Sequence, residues 1–459
     1  MLAILALLLA ASPEGQRIDG RWEGAIQVGG ALNISVEFKA APEGWQANID
    51  IPQQGARALA LTAVRIEPPK VHFELPAGPG LAVFDGELKD GVIQGSFKQA
   101  GVEGSFELKP AVAQPQAPSE PPPPYRVEEV TVTSGEVKLA GTLTTPAKPG
   151  RHPAVALLTG SGAQNRDEEI FGFKLFRLIA DHLTRAGVVV LRCDDRGVGG
   201  SSGSLQSVTS EDLAGDALAA VGFLKARAEV DPARIGLLGH SEGGLLAVMA
   251  AARSQDVGFI VLVSGPAVKG ETLMRAQGEA IYRAEGKSQV EIARLLALQA
   301  LSFQVARTGE GAPELAAEIR QATLSDLEKL PAERQKAMGD LGQFADRAVQ
   351  GQMAALRSPW LKFFLDYDPT QALRQVRCPV LALYGEKDLQ VPAEMNRKAL
   401  EATLARAGNK RVTIRVVPGA NHLFQPAKTG SPSEYATLPK EFVPGFLETI
   451  AGFVARPKR

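Results

Sequence analysis

The chain has 459 residues, which at roughly 150 residues per domain allows about three folding units, and two fit as well. Its 50 basic and 51 acidic residues leave a net charge of −1, so composition excludes a purely electrostatic nucleic-acid binder. The 45% apolar content excludes global disorder, and two cysteines are too few for a disulfide scaffold or a four-thiolate zinc site.

Residues 2–10 (LAILALLLA) form an uninterrupted apolar run. It is too short for a bilayer span, which needs about 20 residues, and has the length of a signal-peptide h-region. The small residues Ala10, Ala11 and Ser12 follow, as a cleavage site requires, although no Lys or Arg precedes the run. Residues 1–12 are therefore expected to be a signal peptide that exports the chain to a periplasm or the exterior. The competing reading is a short core helix. No other apolar run approaches about 18 residues, so no membrane span is expected in the mature chain.

Region 18–110 alternates apolar and polar residues in short runs, such as Leu32–Phe38, Val71–Leu75 and Val92–Phe97. Period two marks half-buried strands, and Asp90-Gly91 between two runs predicts a tight hairpin turn. About eight strands are expected, in an antiparallel sandwich or barrel with His72 facing solvent. No catalytic cluster is visible there, so this region reads as an accessory domain. Residues 111–124 (AVAQPQAPSEPPPP) read as an extended proline-rich linker.

Region 125–459 alternates strands and helices. Apolar runs at 127–133, 137–144, 154–159, 188–193, 235–239, 259–263, 380–384 and 412–417 predict eight strands. Helical segments at 173–186, 209–228, 242–253 and 392–407 lie between most of them. This is an α/β pattern with a mainly parallel sheet covered on both faces. The first two runs, joined by Ser134-Gly135, predict an antiparallel hairpin. Residues 266–375 are mostly helical, too long for a loop, and are expected to form an inserted helical cap.

The chemistry collects at strand ends. Gly239-His240-Ser241-Glu242-Gly243 follows an apolar strand and opens a helix. Minimal residues two positions either side of a serine permit a sharp strand-to-helix turn that exposes the hydroxyl at a helix N-terminus. Such a nucleophile needs a base, and His422, after the last strand, is the best placed of five histidines. His240 adjoins the serine but is expected to point away. Asp388, after the strand 380–384, supplies an orienting carboxylate, with Glu386 its nearest competitor. An oxyanion site needs two backbone donors. Glu242 N–H is one; Ser161 N–H, then Gly162 N–H, are candidates for the other, in the loop Thr159-Gly160-Ser161-Gly162. The charged continuation through Glu168 and Glu169 reads as a solvated face or a substrate-binding patch. Asp194-Asp195-Arg196-Gly197 lacks the third glycine of a dinucleotide loop, where Ser202 stands, and opens no helix. It reads as a buried Asp–Arg brace, not an NAD site. No lysine-bearing phosphate loop or HExxH is present, so no metal or cofactor is expected.

This set of motifs resembles the α/β-hydrolase superfamily. The runs LLTGSGAQNRDEEIFGFKLFRLIADHL, LRCDDRGVGGSSG and RIGLLGHSEGG are similar to bacterial secreted esterases related to serine-aminopeptidase and prolyl-oligopeptidase-like hydrolases. A common pattern of that family places His where Thr159 stands here. The resemblance covers 125–459 and implies acyl transfer to water by Ser241, His422 and Asp388. A carboxylesterase for small-molecule esters of small to medium acyl chains is expected. A serine peptidase is the alternative if Glu168 or Glu169 faces the pocket, then an acyltransferase or thioesterase, then a glycan- or protein-binding module on a hydrolase scaffold. Cys193 and Cys378 fall on strands about four positions apart, about 19 Å, beyond disulfide reach.

Overall fold

The computed structural model describes residues 18–28, 31–41, 44–51, 56–76, 81–99, 102–111, 122–330, 332, 335 and 340–455. The expected signal peptide, and the proline tract apart from its ends, lie outside these residues. Two compact units make up the chain, one of residues 1–118 with 329–341, the other of 119–328 with 342–459.

The described residues of the first unit carry nine antiparallel strands, β1 (Gly20–Gln27), β2 (Ala31–Ala41), β3 (Gly44–Ile51), β4 (Ala56–Ala60), β5 (Thr62–Glu67), β6 (Lys70–Pro76), β7 (Leu81–Lys89), β8 (Val92–Gln99) and β9 (Val102–Pro110), in one sheet ordered β4-β3-β2-β1-β9-β8-β7-β6-β5. Phe38 of β2 (Ala31–Ala41) and Phe73 of β6 (Lys70–Pro76) are five strand positions apart in that order. In a flat sheet this would separate them by about 24 Å at about 4.8 Å per strand, yet their ring centroids are 5.6 Å apart. The sheet is therefore rolled around an aromatic core of Phe38, Phe73, Phe84 and Phe106. Asp90 (φ 51°) and Gly91 (φ 77°) both adopt positive φ at the tip of the β7–β8 hairpin, as a type I′ turn requires. His72 is half-buried and pairs with Asp85 at 2.7 Å, so it is less exposed than the alternation predicts.

The second unit has an eight-stranded sheet ordered β10-β11-β15-β12-β16-β17-β18-β19. Its strands are β10 (Tyr125–Ser134), β11 (Val137–Pro146), β12 (His152–Leu158), β15 (Val189–Cys193), β16 (Val230–His240), β17 (Phe259–Val263), β18 (Val380–Gly385) and β19 (Val412–Val417). The β10–β11 hairpin is antiparallel and turns at Gly135 (φ 58°), β11 runs antiparallel to β15, and the remaining six strands are parallel. A two-stranded ribbon, β13 (Glu169–Ile170) and β14 (Phe173–Lys174), follows β12.

Helices α2 (Ser210–Lys225), α3 (Glu242–Arg253) and α10 (Ala393–Arg406) bury their apolar faces on one side of this sheet. Helices α1 (Leu175–Arg185) and α11 (Phe446–Val454) cover the other. Strands covered on both faces read as continuous apolar runs, as β17 and β18 do, with every residue buried. Helix α2 starts where Thr209 and Asp212 form a reciprocal capping box. Between β17 and β18 lie α4 (Gly270–Ala284), α5 (Gln289–Thr308), α6 (Ala312–Glu328), α7 (Leu341–Leu356), α8 (Pro359–Asp366) and α9 (Thr370–Leu373). Among the described residues no helix is long and apolar enough to cross a membrane. Cys193 and Cys378 are free thiols, on β15 and just before β18, four strand positions apart.

Candidate active site

Every candidate group emerges at the C-terminal edge of the parallel strands, where an open α/β sheet presents its loops. Ser241 occupies the turn from β16 into α3 with φ 52° and ψ −121°, a conformation that costs about 1–3 kcal/mol for a non-glycine residue. The flanking glycines make the turn possible. A Cβ on Gly239 would lie 1.9 Å from the Gly243 carbonyl oxygen, and one on Gly243 would lie 2.0 Å from that of Leu158. The turn is pinned to the neighbouring strand by the Ser241 N–H, which donates to Val263 at 2.9 Å. The Ser241 side chain makes no capping bond to α3 and lines a cavity of about 430 Å³.

His422 lines the same cavity and is only 4% exposed. Its Nδ1 lies 2.9 Å from Asp388 Oδ2. A carboxylate only accepts, so Nδ1 carries the proton and Nε2 is left as the basic nitrogen. Asp388 also accepts from the Ser264 hydroxyl at 2.6 Å and from the N–H groups of Gln390 (2.9 Å) and Val391 (2.8 Å). Burial alone would raise its pKa; the His422 imidazole and these hydrogen bonds outweigh burial and hold it below the ordinary aspartate value. The competing Glu386 instead accepts from the Gly419 N–H at 2.8 Å.

Glu242 is the first residue of α3, where helix N–H groups lack intrahelical acceptors. Ser161 lines the Ser241 cavity together with Glu242, whereas Gly162 lines an adjoining one. The Gly160 N–H is engaged, donating to Glu168 Oε1 at 2.7 Å. Asp195 fixes the start of this loop by accepting from the Thr159 hydroxyl at 2.7 Å and the Gln164 N–H at 2.9 Å. Burial pushes the Asp195 carboxyl up to about 7. The Asp–Arg brace is built with partners outside its own motif: Asp194 holds Arg166 at 2.7 Å, and Arg196 holds Asp216 at 2.7 and 2.8 Å.

Glu168 and Glu169 diverge. Glu169 lies in β13, 3.8 Å from Lys174, and is not among the residues lining the Ser241 cavity. Glu168 lines that cavity but is 1% exposed, so the solvated-face reading does not hold for it. Its Oε1 also meets His240 Nδ1 at 2.8 Å, while Oε2 is buried without a partner. His240 Nε2 reaches the His422 carbonyl oxygen at 3.1 Å, and the two imidazoles stack tilted at 4.7 Å. A carbonyl accepts only, so Nε2 carries a proton. Burial would lower the His240 pKa, but the Glu168 carboxylate raises it overall. A Glu168–His240 pair thus ties the loop after β12, the serine turn and the His422 loop. Sequence reasoning singled out both residues but missed their partnership, since 72 positions separate them. It also missed the Glu242 carboxylate, which accepts from Ser210 Oγ at 2.5 Å and from the Trp360 indole N–H at 2.7 Å.

A strained serine after a parallel strand, a buried carboxylate–imidazole pair and a helix N-terminus at Glu242 together suit a hydrolase. The family comparison agrees. The model of the alpha/beta hydrolase family matches residues 155–436, and the chain belongs to that family. It is 28% identical over 339 residues to the esterase EstD of Thermotoga maritima, covering 73% of this chain and 67% of that one. An uncharacterized 31.7 kDa protein of Escherichia coli is 24% identical over 267 residues, covering 58% of this chain and 82% of its own length. Solved structures similar to it include the Pyrococcus furiosus esterase Pf2001, at TM-score 0.40 and 18% identity, covering 64% of this chain and 83% of that one. Another is a proline iminopeptidase of Mycobacterium smegmatis, at TM-score 0.43 and 18% identity, covering 71% and 97%. The chain is an esterase-like α/β hydrolase.

Proposed function

We propose that the chain is a serine carboxylesterase cleaving uncharged esters of small to medium acyl chains. The observation that carries this reading is the buried Asp388–His422 pair opening on the cavity that Ser241 lines. His422 Nε2 takes the Ser241 proton as Oγ attacks the ester carbonyl, and Asp388 stabilises the imidazolium. The N–H groups of Glu242 and Ser161 receive the oxyanion, with the Gly162 N–H the next candidate after Ser161. His422 returns the proton to the leaving alcohol, and water then releases the acid by the same steps in reverse.

The helical stretch 266–375 acts as the cap, since Pro266, Leu273, Met274, Trp360 and Phe364 line the Ser241 cavity. The apolar run at residues 2–10 directs export, and the nine-stranded unit serves as an accessory domain. Ser241→Ala is expected to abolish hydrolysis of p-nitrophenyl acetate while leaving the thermal melt unchanged; retained turnover contradicts the assignment. The presence of Glu168 on the cavity wall favours aminopeptidase as a second reading, through a substrate ammonium. Its carboxylate is already engaged by His240 and Gly160, which weighs against that role. Short-chain esters are expected to be far better substrates than aminoacyl-nitroanilides, and equal efficiency on the two would reverse the order.

A further inference from the structure

A second cavity, of about 380 Å³, adjoins the one that holds Ser241 and His422. The two share Gly160, Glu242 and Trp360, and neither Ser241 nor His422 lines the second. Its wall is largely aliphatic, with Leu191, Leu205, Val208, Leu213, Ala217 and Leu246. The charged groups at its margin are already engaged. Arg196 is held by Asp216 through two bonds and Asp194 by Arg166, while Asp195 is bonded to Thr159 and Gln164. Among the described residues lining it, the cation Arg196 is already engaged, and the aliphatic wall suits an uncharged apolar group.

The order of the chemistry decides which half of an ester goes where. The leaving oxygen must receive a proton from His422, so the alcohol sits in the cavity that His422 lines. The carbonyl oxygen points to the N–H of Glu242, a residue on the partition between the two cavities. The remaining substituent, the acyl chain, takes the direction away from both His422 and the oxyanion donors, and the aliphatic cavity adjoins the Ser241 cavity along Gly160, Glu242 and Trp360. We propose that the aliphatic cavity between β15, α2 and the Ser241 turn is the acyl-chain subsite, taking an uncharged aliphatic or aryl chain, while the cavity beneath α4 and α8 takes the alcohol. The assignment rests on Ser241 being the nucleophile of an esterase. Trp360, whose indole N–H donates to Glu242 Oε1 at 2.7 Å, borders both cavities.

Two ester series on the intact protein test this: p-nitrophenyl esters of lengthening acyl chain, and acetates of lengthening alcohol. In the wild type, kcat/KM rises about fourfold per added acyl methylene until the cavity is filled. Leu205→Trp and Ala217→Leu reduce that space and lower the octanoate-to-acetate ratio of kcat/KM at least tenfold. Val208→Ala enlarges it and moves the optimum to longer acyl chains. In all three variants the octyl acetate to methyl acetate ratio stays within twofold of wild type. An acyl ratio within twofold of wild type, or a shift in the alcohol series in its place, overturns the proposal. Should the filling variants fail to fold, the Val208→Ala profile decides alone. A wild type that cleaves neither series refutes the esterase reading itself, a result distinct from turnover with an unmoved profile.

Discussion

At the scale of single residues, Asp388 and Glu168 are two buried carboxylates, each paired with a histidine, and the proposed mechanism gives them different work. Asp388 fixes the proton of His422 on Nδ1. Asn at this position can present an N–H instead, which forces the other tautomer and removes the base. Asp388→Asn is expected to lower kcat about 10⁴-fold with little change in fold, measured by steady-state ester hydrolysis. A loss under tenfold would assign the orienting role elsewhere. Glu168 touches no reacting atom in the proposed mechanism; it raises the His240 pKa and holds three loops in register. A histidine with a raised folded-state pKa contributes stability that is full below about 6.5 and is lost as pH rises through the raised value. Glu168→Gln is therefore expected to cost about 1–3 kcal/mol near pH 6 and less at pH 9, read by denaturant unfolding. A difference that grows with pH would contradict the paired state.

Among the elements, the turn between β16 and α3 was the most legible feature of the sequence. Its requirement is local: two backbone approaches near 2 Å to a hypothetical Cβ leave only glycine at 239 and 243. Gly243→Ala is expected to cost about 3 kcal/mol or more, measured by thermal and denaturant unfolding, because the clashing partner is the Leu158 backbone and not a flexible side chain. Wild-type stability in that variant would mean the turn can relax. The parallel strands were legible for a similar reason, since burial on both faces leaves continuous apolar runs such as Phe259–Val263. Long-range pairings were not legible. The charged stretch around Glu168 looks like a solvated face in sequence, and only the fold buries Glu168 against His240. The Asp–Arg brace was foreseen as a kind of contact, but its partners Arg166 and Asp216 come from other segments. In the N-terminal unit, alternation showed strands of a sandwich or barrel but not which residues the rolled sheet brings together, such as Phe38 and Phe73.

For the molecule as a whole, the near-balanced charge required no polyanion partner and left the substrate open. The second unit narrows it, with one cavity that holds Ser241 and His422 and a neighbouring aliphatic one. The two cysteines lie four strands apart, so the sheet is held by packing and hydrogen bonds without a disulfide between them. The central claim is that Ser241 is the nucleophile. Treating the intact protein with a fluorophosphonate and mapping the adduct by peptide mass spectrometry tests it most directly. One adduct per chain on Ser241, formed in step with loss of ester hydrolysis, is the expected result. An adduct on another residue, or full inactivation with Ser241 unmodified, would contradict it.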